Sequence, residues 1–75
     1  MTQTVRVFVN AAGLDVPAGS TALDAVRVWS ADEADGVAAG RRLITDSRGL
    51  PLAPDAAIAA GSILRVVANR EDRAS

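Results

Sequence analysis

Between Thr4 and Trp29 the spacing of apolar residues switches from every second position to every third or fourth. In "VRVFVN", Val5, Val7 and Val9 share one face while Arg6, Phe8 and Asn10 share the other, the pattern of a half-buried strand. "NAAG" follows, where Gly13 is free to supply the positive φ that short hairpin loops need. "LDV" then sets Leu14 and Val16 opposite Asp15, so the two strands predict a β-hairpin. Pro17 and Gly19 break the second strand. Thr21 stands three residues before Asp24, the spacing of a capping box, and Asp24 also puts negative charge in the first helical turn. Ala22, Val26 and Trp29 then fall at i, i+4 and i+7, with Leu23 and Ala25 widening the stripe. A chain that opens strand, strand, helix must cover that stripe with what comes later, and 75 residues allow one small core.

Ser30 and Glu33 repeat the cap spacing and predict a second short helix, with Ala34, Val37 and Ala38 facing inward and Gly40 ending it. Gly36 within it lowers the helix propensity. "RRLITD" reads as a third strand, "SRG" as a turn and "LPL" as a short fourth strand, which Pro51 confines to a sheet edge. "APDAAIAAGS" reads as an irregular connection and "ILRVVA" as the last strand. The expected architecture is α+β, a mixed sheet with one main helix across one face and an ordered core of about 4–69. "NREDRAS" is too polar to pack and is expected to fray, leaving 70–75 as a flexible tail.

Composition narrows the chemistry. Cys, His and Lys are all absent, which removes thiolate and imidazole metal ligands, disulfides, thiol nucleophiles, and His- or Lys-based acid–base chemistry. Ser47 in "TDSRG" has no base to activate it, so the chain is read as no enzyme and no cofactor is implied. Asp32, Glu33 and Asp35 lack the alternating oxygen ligands of a calcium loop and read as a solvated helix start. The net charge of −1 gives no global attraction to nucleic acid or to an anionic membrane. No apolar run approaches a bilayer span and "MTQTVRVF" lacks the regions of a secretory signal, so a cytoplasmic protein is the expectation.

"VNAAGLDVPAGSTALDAV" resembles the hairpin, cap and helix that open β-grasp (ubiquitin-like) domains, the ThiS/MoaD sulfur carriers above all. The TGS domains of tRNA synthetases and GTPases share this opening, as do plant-type ferredoxins. "IAAGSILRVV" is similar to the closing pattern of the group, with Ser62 where the carriers commonly have Asp. The resemblance spans most of Val5 to Ala68 and implies a sheet of four to five strands ordered 2-1-5-3-4, with the first and last strands parallel at its centre. It also implies, for a sulfur carrier of thiamine or molybdopterin synthesis, a Gly-Gly terminus. Here the last glycine is Gly61, ahead of the final strand, and "ANREDRAS" follows that strand. A ferredoxin would need cysteines for its cluster.

Alternation along the first and last strands places Phe8, Ile63 and Val67 together on the face away from the helix, flanked by Arg6 and Arg65. An apolar patch with basic flanks is a protein-binding surface in type, so an unidentified protein partner is expected, with the chain itself a monomer or weak homodimer. The function that follows is a protein-interaction module or small adaptor subunit. The alternatives are a divergent sulfur carrier and, through Arg41, Arg42, Arg48 and Arg65, a TGS-like anion- or RNA-binding module. Nucleic acid is disfavoured because no aromatic stacking platform beyond Phe8 accompanies the arginines and the net charge is unhelpful.

Overall fold

The computed structural model describes residues 3–69. It runs β1 (Thr4–Val9), β2 (Ala12–Pro17), α1 (Ala22–Trp29), α2 (Ala31–Ala38), β3 (Arg42–Thr45), β4 (Pro51–Leu52) and β5 (Ile63–Ala68). The fold is α+β: a mixed sheet of five strands, ordered β2-β1-β5-β3-β4, with both helices on one face. β1 and β5 are parallel, and the other neighbours are antiparallel. β4 is an edge, as Pro51 requires.

The core lies between the helices and the inner face of the sheet. Val7, Val9, Val16, Ile44 and Leu64 from the strands meet Ala22, Ala25 and Val26 of α1 and Ala34 and Val37 of α2. Leu23 and Trp29 pack at its rim. Ala38 was expected inside but is exposed. The side of α2 that meets β3 carries Gly36 and Val37 instead, because Arg42 runs across it: a Cβ on Gly36 would lie 2.8 Å from Arg42 Cγ. The glycine that weakens the helix is what lets β3 approach it. Its end is a Schellman turn, in which Gly40 (φ +84°) donates to Val37 and Arg41 donates to Gly36.

The capping box forms as expected. Asp24 N–H donates to Thr21 Oγ1 at 3.2 Å, and Thr21 N–H donates to Asp24 Oδ2 at 3.0 Å. Two more amides at the start of α1 find partners in the irregular segment 53–62: Ala22 N–H donates to Ala56 O and Leu23 N–H to Pro54 O, both at 2.9 Å. The loop is thus held as part of the helix cap, and Ile58 N–H returns a bond to Ser20 O.

The hairpin turns differently from its sequence reading. Its loop is Asn10 and Ala11, both at positive φ (49° and 70°), whereas Gly13 lies within β2 opposite Phe8. Two positive φ values in a two-residue loop match the right-handed strand twist. Asn10 is held there by its contact with β5. Its N–H donates to Leu64 O at 3.0 Å, and its Oδ1 accepts from Val66 N–H at 3.0 Å. The side chain thereby continues the parallel ladder past the point where the backbone of β1 turns away.

Asn69 was expected to fray but donates its backbone N–H to Arg41 O and its side-chain amide to Gly40 O at 2.8 Å. The flexible tail expected at 70–75 lies outside the described residues.

Two substitutions in the hairpin loop should act in opposite directions. Ala11→Gly relieves a side chain held in the left-handed region and should stabilise by about 1 kcal/mol. Asn10→Ala removes the exposed bond from Val66 N–H and should cost about 1 kcal/mol. Urea midpoints of the two variants check both.

Candidate protein-binding surface

Because the helices occupy only one face, the other face of the sheet lies open. Strand register decides what it carries. On β1 the outward residues are Thr4, Arg6 and Phe8, opposite Pro17, Asp15 and Gly13 of β2. On β5 they are Ile63, Arg65 and Val67, because Leu64 is buried and Val66 packs against the core. Phe8 is the register partner of Ile63 across the parallel pair. On β3 the outward pair is Leu43 and Thr45, opposite Val67 and Arg65.

The five residues expected on this face are therefore all there, but they are not equivalent. Ile63 and Val67 keep 49% and 41% of their surface exposed. Phe8 is half-buried and leans over Gly13, where an added Cβ would lie 3.4 Å from the ring. The closer neighbour of that position is Arg6, whose Nη1 would lie 3.1 Å from the added Cβ. Arg6 is not a free basic flank. Its Nε donates to Asp15 Oδ1 at 2.9 Å and Nη2 to Oδ2 at 3.4 Å. The pair is exposed and adds little stability, but it neutralises the charge locally. Arg65 is exposed and makes no ion pair among the described residues.

Leu43 escaped the sequence reading and belongs to the surface. It is 37% exposed and sits directly opposite Val67. The signal was present, since Leu43 and Ile44 are consecutive in a strand and must face opposite ways. The apolar part of the open face is thus Ile63, Val67 and Leu43, with Phe8 beside it and Arg65 in its midst.

The arginines considered for anion binding do not assemble. Arg42 is in register with Ala68 and Arg65 with Thr45, so an odd offset puts them on opposite faces. Arg42 faces α2, where its Nε lies 3.2 Å from Glu33 Oε2. Arg48 sits in the turn after β3, 3.6 Å from Asp46. Arg41 is exposed just before β3. Glu33 is thereby taken from the acidic group at the start of α2, and no cluster of three acidic side chains is placed to hold a metal among the described residues. No helix among them is long and apolar enough to cross a membrane.

Two carboxylates are held below their ordinary range. For Asp46 the main cause is the hydrogen bond from Leu50 N–H, supported by Arg48 through its N–H and its charge, against a smaller opposing effect of desolvation. For Asp24 it is the bond from Thr21 N–H, then the Thr21 side chain, with Arg27 adding a weaker attraction. Both groups brace the scaffold, one at the β3–β4 turn and one at the cap of α1.

No known protein family matches this chain, and no curated protein matches it in sequence. The functional reading therefore rests on the surface itself.

Depressed carboxyl groups set the direction of the acid response. The unfolded chain binds more protons than the folded one once the pH reaches the ordinary carboxylate range, so stability is complete above about pH 4–5 and falls below it. The double variant Asp24→Asn, Asp46→Asn keeps acceptors at both sites but removes the titration. Its unfolding free energy should fall less steeply with acid than that of the wild type in urea titrations across this range.

Proposed function

We propose that the chain is a non-catalytic, ubiquitin-like protein-interaction module of the β-grasp type, a small adaptor that binds its partner through the open face of the sheet. The observation that carries this reading is the exposure of Val67 and Leu43 side by side on neighbouring strands, with Ile63 on the same face beyond Arg65. Isolated exposed aliphatics such as Val28 and Leu50 are ordinary on a small domain. Three aliphatic residues grouped on a rigid sheet, next to an aromatic ring, form a patch that gains from being covered.

The β-grasp assignment is supported by the strand order, the parallel pairing of first and last strands, and the capped helix that follows the hairpin. The stretches "VNAAGLDVPAGSTALDAV" and "IAAGSILRVV", which resemble the sulfur carriers, point the same way. The absence of Cys, His and Lys supports a role in binding over one in catalysis. An anion- or RNA-binding role draws less support, since Glu33 and Asp46 already engage Arg42 and Arg48.

Affinity capture from the native cell, with the wild type and Val67→Asp side by side, tests the reading. Retention of a partner held by the wild type should fall at least about 10-fold on introducing a charge into the patch, while the unfolding free energy drops by only about 1 kcal/mol and the protein stays folded. Equal retention by both proteins refutes the open face as the binding surface.

A further inference from the structure

Among the described residues, the open face carries one cation, Arg65, that no carboxylate answers. Arg6 is engaged by both oxygens of Asp15, and Asp15 is the one carboxylate that the strands present on this side. Arg65 has no such partner among the described residues. It stands between Ile63 and Val67 on β5, directly opposite Thr45. Together with Val67, Asn10 and Ala11 it also lines an open depression of about 340 Å³ at the hairpin loop.

Any partner that covers the apolar residues must remove water from this guanidinium. Desolvating an arginine without a counter-ion is costly, whereas a carboxylate meets its fork of donors with two parallel hydrogen bonds. A second copy docked by the same face would have to give up its own Arg6–Asp15 pair to answer this guanidinium. A carboxylate on a different protein answers it without that exchange.

We propose, building on the open-face reading above, that the partner segment is a peptide in which an Asp or Glu is flanked by aliphatic residues. Its carboxylate enters the depression beside Asn10 and Ala11 and pairs with Arg65. Its aliphatic side chains pack on Leu43, Ile63 and Val67. The charge fixes the register of the segment on the sheet, and the aliphatic contacts supply the area removed from water.

Selection of random linear peptides displayed on phage against the immobilised protein tests this directly. The enriched peptides should carry Asp or Glu beside Leu, Ile or Val. Arg65→Glu should weaken them by about 10- to 100-fold, Arg65→Gln by less, and selection against Arg65→Glu should turn the preference towards Lys or Arg. Peptides that Val67→Asp abolishes but that show no acidic preference, or that bind Arg65→Glu unchanged, overturn the carboxylate pairing and leave the open face as the binding surface. A selection giving no peptide sensitive to either residue overturns both readings. Sedimentation velocity supplies the remaining outcome, since a wild-type dimer dissociated by Val67→Asp would make a second copy the occupant and defeat the proposal. Circular dichroism of each variant separates lost binding from lost fold.

Discussion

The parallel contact between β1 and β5 is what makes one protein out of two hairpin-like halves. On one side stands the β1–β2 hairpin, and on the other the antiparallel set of β3, β4 and β5. Neither half closes a core alone. Val7 and Val9 on β1 and Leu64 on β5 are almost wholly buried because the two strands lie side by side beneath the helices. The ladder is short, and its last rung is a side chain: Asn10 accepts from Val66 across a separation of 56 residues. Joining such distant segments carries a loop-closure cost, which burial of the central valines and leucine offsets. A residue in the left-handed region that also supplies a carbonyl suits Asn better than most side chains.

Given that junction, the remaining elements fall into place through backbone satisfaction. α1 receives its first amides from Thr21 and from the carbonyls of Pro54 and Ala56, so the helix and the segment leading into β5 are fixed together. α2 is fixed at its far end by the Schellman turn and along its side by the approach of Arg42 over Gly36. Both helices are thereby committed to one face. Among the described residues no helix lies on the other face, where Leu43, Ile63 and Val67 of β3 and β5 stay exposed.

What could be read from the sequence was what depends on near neighbours. The capping box at Thr21, the cap at Ser30, the edge position of Pro51 and the alternation of β1 and β5 involve residues a few positions apart, and the structure keeps all four. The order of the strands came instead from resemblance to a known topology, and the observed sheet has that order. Failures occurred where a distant partner decides. Asn10 and Ala11 take the turn in place of Gly13 because the turn is bound to Leu64 and Val66 on the far strand. Arg6 looked like a free flank until register set it against Asp15, and Arg42 was grouped with Arg65 until parity turned it to the other face, towards Glu33. Ala38 fitted a helical stripe, but the contact with β3 rotates that stripe towards Gly36 and Val37. Asn69 looked like the start of a solvated end because its acceptors, Gly40 and Arg41, lie almost thirty residues earlier. Leu43 was overlooked although parity alone would have placed it.

The way segment 53–62 closes the start of α1 also ties two motions into one. Lifting the loop away strips Ala22 and Leu23 of their acceptors, and unwinding the first turn of the helix strips Pro54 and Ala56 of their donors. The amides of Leu23 and Ile58 bond across the same junction and should therefore exchange with solvent as one opening unit. That unit is separate from the open face, where the exposed side chains ride on strands paired on both sides.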